Sequence, residues 1–506
     1  MNDLKHLILK LIKKNSMIDI KSIKSSLELL EKNMIDEESK RSGLIISLHP
    51  SNHISARNLI HYLSLRSMDI RELQDKLHIL GLSSLASSES HIKAQLKAIN
   101  QRLGKKYASD QKEICDYECS QAIMKKKSFA LFGKKEIEAH PSVMITLDSS
   151  FAEDYAVIKN LLLNGMNIAR INCAHDDESV WAGMINKIKK ACQKTGKPCK
   201  IYMDLAGPKI RTELIGKGRK KGEAKVKVGK LIYLANSDEG LDPKDIIINP
   251  GEPELISFLK KDDRIYFDDG IVRGIVEKVK NNIAKVRITR VSSVKKIIKN
   301  DKGINFPDSE MDIAPLTDFD ISCLPFICEN ADIIGYSFVR YPSDLANLRK
   351  MMADNYDHPP HLVIKIETPQ AVRHLPELLM EGMKDETVGV MIARGDLAVE
   401  IGFERMSEIQ EEILWICEAA HVPVIWATQV LENLNKSGLA TRSEITDAGH
   451  ATQAECIMLN KGAHTIEVLE MLKDISQRQS EHRSKKRYTF RPLSIAREFI
   501  GADDKS

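Results

Sequence analysis

Residues 362–370 read LVIKIETPQ, and residues 388–402 read VGVMIARGDLAVEIG. Each is an apolar run that ends in charge, the pattern of a strand buried on both faces of a parallel sheet. Side chains alternate along a strand, so Lys365 and Glu367 face the same way at the end of the first run. Gly395 and Asp396 close the second. If the two strands are neighbours in a barrel, Glu367 and Asp396 meet in one pocket. Two carboxylates between apolar walls repel unless a cation lies between them, and an oxygen-only donor pair suits Mg²⁺ or Mn²⁺. Lys365 beside them is placed to neutralise a migrating phosphoryl group.

Runs of the same kind lie at 143–147, 167–172, 200–204, 333–337, 422–426 and 456–459, each with room for a helix after it. With the first two they make eight, the number that closes a TIM (β/α)₈ barrel, so the predicted class is α/β. One interval breaks the rhythm. AKVKVGKLIYLAN (224–236), DRIYFDDGIVRGIVEKV (263–279) and NIAKVRITRV (282–291) are closely spaced strands separated by Gly, Asn and Asp turns. They predict a small β-barrel lid domain, inserted after the third barrel strand on the face where such barrels place their sites. Before the barrel, helical periodicity at 23–30 and 55–65, with breaks at Ser67 and Gly81, predicts an N-terminal helical region. The expected organisation is 1–139 helical, 140–212 with 303–475 barrel, 213–302 lid, and 476–506 a basic tail.

At 506 residues the chain is long enough for two or three cores. Lys plus Arg total 75 against 71 Asp plus Glu, which excludes a strong global pull toward nucleic acid or membrane, so neither is an expected partner. The nine cysteines lack zinc or redox spacing and read as reduced thiols. LKHLILKLIKKN (4–15) is interrupted by lysine and carries no signal-peptide cleavage pattern, so the expected compartment is the cytoplasm.

The other charged segments fall at strand ends too. GMNIARINCAH (165–175) puts Arg170 and Asn172 on one strand face, with His175 in the following loop. KIYMDLAGPKIRTE (200–213) supplies Asp204, Lys209 and Arg211. VPVIWATQVLENL (422–434) carries Thr428 and Gln429 where a strand meets a helix, whose free N–H groups would suit a carboxylate. Cations from the first half of the barrel and metal ligands from the second fit a substrate bearing several phosphates.

ARIN, MDLAGPKIRT, FDDG, KGINFP, IKIET, ARGDL, WATQVLENL, TRSEITDA and CIMLN occur in this order between 143 and 472. Together they resemble the pyruvate kinase family, with 213–302 in the position of its lid. The resemblance implies transfer of a phosphoryl group from phosphoenolpyruvate to ADP, giving pyruvate and ATP. It implies that Glu367 and Asp396 bind Mg²⁺ or Mn²⁺, that Lys365 stabilises the phosphoryl group and enolate, and that Thr428 sits by the carbon that gains a proton. Arg170 and Ser337 would hold the substrate phosphate, and the backbone of Gly395 and Asp396 its carboxylate. Asn172, His175, Arg211 and Lys302 would lie near the nucleotide phosphates. A homo-oligomer is also expected.

Departures from the family pattern carry their own expectations. Ala174 stands where K⁺-dependent members have a Ser ligand, while Asn172 and Asp204 remain. Lys209 replaces the Glu of the GPEIR motif, as in the K⁺-independent branch, so a fixed ammonium near Asn172 and Asp204 should replace the monovalent ion and K⁺ should not be required. Asp148, in ITLDSS, brings negative charge toward the expected nucleotide phosphates, and CIMLNKGAHTIE (456–467) lacks the family's Ser-Gly-Glu-Thr loop. The sequence after the barrel is too short for the relatives' C-terminal domain, so control by sugar phosphates there is not expected. Two other readings share the barrel: a Mg²⁺-dependent 2-oxo acid lyase or aldolase, and a catalytically silent regulatory protein.

Overall fold

The computed structural model describes residues 19–107, 114–252, 254–294, 296–309, 313–484 and 487–488. The basic stretch at 4–15, and the tail at 485–486 and from 489 on, lie outside the described residues. The chain forms two compact units: 1–130 with 379–388 and 414–423, and 131–378 with 389–413 and 424–506.

In the first unit, helix α1 (Ile20–Lys40) buries Ile23, Leu27, Leu30 and Met34, the three-and-four spacing of one helical face. Helix α2 (His53–Arg66) stops before Ser67, and α3 (Arg71–Ile79) ends just before Gly81, at a φ of 68°. Both predicted breaks are present. Glu38 on α1 accepts from His61 Nε2 at 2.8 Å on α2 and from Lys93 Nζ at 3.4 Å on the helix Ile92–Arg102.

The second unit is built on eight parallel strands that close in chain order: β1 (Ser142–Thr146), β2 (Ile168–Asn172), β3 (Lys200–Asp204), β4 (Ile333–Tyr336), β5 (His361–Ile366), β6 (Val388–Ala393), β7 (Val424–Ala427) and β8 (Cys456–Leu459). Only β7 departs noticeably from its predicted span. VPVIW offers no polar marker of register, and His421, at a φ of 48°, turns the chain just before the strand. Every residue of β6 and β7 is buried, as a sheet covered on both faces requires. Tyr202, Met144, Val363, Met391 and Cys456 share the barrel core.

Between β3 and β4 the lid forms a curled sheet of seven strands with its own core, in which Ile232, Leu234, Val276, Ala284 and Val286 are fully buried. Two chain segments carry it, and Arg211 bridges Gly303 between them. The last helix runs Thr465–His482, so residues 476–482, expected in the tail, extend it. Val468, Leu469 and Leu472 are buried before the predicted boundary, and Ser476 just past it is buried too.

Candidate active site

The charged ends of β2, β3 and β5 converge at the mouth of the barrel. Asp204 is fully buried, and Arg170 Nε donates to its Oδ2 at 2.6 Å, while Arg170 Nη1 donates to Thr146 Oγ1 at 3.0 Å. Lys365 Nζ lies 3.6 Å from the same Asp204 oxygen and 3.2 Å from Glu367 Oε1, and donates to Ser337 Oγ at 2.7 Å. The Ser337 hydroxyl in turn donates to the Leu205 carbonyl at 2.6 Å. One buried carboxylate thus orients two cations, and the second of them, Lys365, is also braced by a hydroxyl and a second carboxylate.

Electrostatics follow from burial and these partners. Burial alone would raise the Asp204 pKa, but Arg170 and Lys365 outweigh it and hold the carboxyl below its ordinary range. Burial alone would lower the Lys365 pKa, yet Asp204 and Glu367 keep the ammonium above its ordinary value. Burial raises Glu367, although Lys365 pulls the other way. Its second oxygen accepts from the Phe338 N–H at 2.7 Å. Phe338 adopts a left-handed φ of 56°, and a Cβ at Gly207 would lie 2.6 Å from its ring. That glycine, itself at a φ of 69°, lets the loop after β3 pass close over the end of β4.

Lys209 is placed differently from its expected position. Its ammonium lies 2.8 and 3.0 Å from the two oxygens of Asp396, not beside Asn172 and Asp204. Asp204 already has Arg170 and Lys365, whereas Asp396 stands at the rim, where the loop carrying Lys209 passes. Above them, burial raises the pKa of Asp269 in the FDDG turn, with Lys209 and Asp396 also acting on it.

Thr428 and Gln429 have φ values of 73° and 60°, unusual for residues with side chains, above all a β-branched one. Arg394 holds this turn: Nε donates to the Ala427 carbonyl at 2.8 Å, Nη2 donates to the Thr428 carbonyl, and the guanidinium pairs with Asp447. A Cβ at Gly395 would lie 3.1 Å from Thr428 Cγ2, so the carboxylate-binding turn expected at 395–396 and Thr428 are neighbours.

The residues expected at the nucleotide fall on two elements. Asn172 Oδ1 accepts from the Ala174 N–H at 3.2 Å, and the His175 carbonyl accepts from Trp181 Nε1 at 3.0 Å, both beside β2. Arg211 Nη1 donates to the Asp301 carbonyl at 3.1 Å, and Lys302 lies 3.7 Å from Asp268, both on the lid connections. Asp148 caps the turn after β1 and forms an ion pair with Lys461, from the altered loop after β8. Two departures from the family pattern therefore neutralise each other. Neither Lys461 nor Thr146 carries a signal in the sequence, and Arg394, visible at the strand end in ARGDL, shows its role only through its partners in space.

Among the described residues no three His, Cys, Asp or Glu side chains gather as a metal cluster. Glu367 and Asp396 nevertheless fit a hard divalent ion: both are carboxylates at adjacent strand ends, and a cation, Lys209, already lies against Asp396. Two carboxylates with open positions are what Mg²⁺ takes when substrate oxygens complete its shell.

Fold and site together define a (β/α)₈-barrel protein with an inserted lid over a strand-end cluster of charges. A family profile described as pyruvate kinase, barrel domain, matches residues 140–466, and the chain belongs to the pyruvate kinase family. It is 28% identical over 332 residues to a pyruvate kinase of Staphylococcus saprophyticus, covering 64% of this chain and 54% of that one. A pyruvate kinase of Thermotoga maritima is 30% identical over 336 residues, covering 64% and 68%. One of Thermococcus litoralis is 29% identical over 367 residues, covering 70% and 73%. The chain spans about half the length of the staphylococcal relative that it matches.

Proposed function

We propose that this chain transfers a phosphoryl group from phosphoenolpyruvate to ADP, with a divalent metal and without K⁺. The observation that supports this reading above all is the Arg170–Asp204–Lys365–Glu367 cluster, with Ser337 attached. Arg170, Lys365 and Ser337 present two fixed charges and a hydroxyl to the phosphate, so little reorganisation is needed as charge migrates. Mg²⁺ or Mn²⁺ held by Glu367 and Asp396 would supply Lewis-acid charge at the reacting oxygens. Thr428 is held at the rim by Arg394, beside Gly395, where it reaches a substrate whose carboxylate lies on the 395–396 backbone. Asn172, His175, Arg211 and Lys302 frame the nucleotide side, and Lys461 offsets Asp148 there. Lys209 contributes a positive charge at the rim beside Asp396.

Cytoplasmic location and self-association belong to the same reading. Among the described residues no helix is long and apolar enough to cross a membrane, and all nine cysteines are free thiols. The test is Lys365→Met. Turnover of phosphoenolpyruvate should fall by about 10³-fold or more while Mn²⁺ binding, followed by the spin resonance of free Mn²⁺, persists. A variant that still makes pyruvate at a comparable rate sinks the assignment and favours metal-only lyase chemistry.

A further inference from the structure

We infer that Tyr202 is a positioning residue of this site, its phenolic hydroxyl holding the second oxygen of Asp204 from beneath. The inference rests on the phosphotransferase reading for its substrate, but not for its geometry. Tyr202 lies on β3 two residues before Asp204, so both side chains point into the barrel, and both are 0% exposed. Arg170 and Lys365 both address Oδ2 of Asp204. Oδ1 of Asp204 and the hydroxyl of Tyr202 are both buried, and among the described residues neither makes a hydrogen bond of ordinary geometry, to the other or to any third group. An ionised carboxylate oxygen with no donor in a dry core is costly, and the phenol is a donor with nowhere else to give its proton.

The neighbouring strand is cut away at this point. A Cβ at Gly335 on β4 would lie 2.0 Å from the Tyr202 hydroxyl oxygen and 2.1 Å from Asp204 Oδ1. The two oxygens therefore lie within about 4 Å of one another. Gly335 is not at positive φ, so its backbone conformation does not call for glycine. What calls for it is the space that the phenol and carboxylate share. Burial and the Asp204 charge both push the Tyr202 pKa well above its ordinary value, which keeps the proton on the phenol. Tyr202 thus completes a chain: phenol to Asp204, Asp204 to Arg170 and Lys365, and these two to the substrate phosphate. No sequence motif marks it, because within KIYMD it reads as an ordinary core aromatic.

The test is Tyr202→Phe, which removes one oxygen and keeps the ring. The thermal midpoint should stay within a few degrees of wild type. Affinity for phosphoenolpyruvate in Mg²⁺, measured by calorimetry, should weaken about tenfold, with a matching rise in its KM. The KM for ADP should not move. Loss of stability with unchanged phosphoenolpyruvate affinity, or equal losses on the phosphoenolpyruvate and ADP sides, would overturn the inference. Because binding is read separately from turnover, a wild type that binds but does not turn over counts against the proposed reaction and leaves Tyr202 to be judged by the affinity change. A wild type that does not bind phosphoenolpyruvate overturns both.

Discussion

Lys209 and Asp396 form the contact that most changes the chemistry of single residues here. With its ammonium 2.8 Å from Asp396 Oδ1, Lys209 must give way, at least in part, when a divalent ion takes that carboxylate. Lys209→Met should therefore tighten Mn²⁺ binding, by roughly twofold to fivefold given how little partly exposed pairs contribute. Weaker binding in the variant would show that Lys209 helps to hold the metal site together. Lys461 makes a second prediction on the nucleotide side. Without it, the Asp148 carboxylate faces the ADP phosphates uncompensated, so Lys461→Ala should raise the KM for ADP by roughly twofold to fivefold and leave the KM for phosphoenolpyruvate alone. Steady-state kinetics with each substrate varied in turn decides it. Lys365, Glu367, Asp204 and Arg170 were legible in the sequence because strand periodicity fixes which side chains share a face. The partners of Lys209 and Asp148 were not, since both pairs join loops of different strands.

Among the elements, helix α1 carries the clearest pH-dependent stability. Glu38 is held at a pKa of about 2 against an ordinary 4.5, chiefly by its hydrogen bond to His61, with Lys93 adding to it. A carboxyl depressed in this way stabilises the fold above its ordinary pKa and loses that contribution as pH falls from about 4.5 toward 2. Glu38→Gln should cost the helical unit about 1–3 kcal/mol at neutral pH, with the difference from wild type shrinking as the medium approaches pH 2. Denaturant titrations across that range measure it; a pH-independent gap would mean that the pair acts through packing alone. Helices α1 to α3 were legible from apolar spacing and from Ser67 and Gly81. The membership of 379–388 and 414–423 in the helical unit was not, because both belong to the barrel's rhythm of strand and helix. Strand β7 was found one to two residues early, since an all-apolar run states burial without stating register.

For the molecule as a whole, barrel and lid bring cations, carboxylates and a strained threonine turn to one rim. The eight strands and the inserted lid could be read from alternating patterns, because each must bury its faces in a fixed order. The clamp of Arg394 on the Thr428 turn, the recess at Gly335 and the Lys461–Asp148 pair could not, because they depend on how the strand-end loops settle once the barrel closes. The proposed reaction at this rim is phosphoryl transfer with the Lys209 charge beside Asp396 and without a monovalent ion. Pyruvate formation from phosphoenolpyruvate and ADP with Mg²⁺, with and without K⁺, for wild type and Asp396→Ala, tests it most directly. Turnover should survive removal of K⁺ and collapse in Asp396→Ala. Strong K⁺ activation at saturating substrate would contradict the role given to Lys209, and a wild type silent with ADP would contradict the phosphotransferase itself.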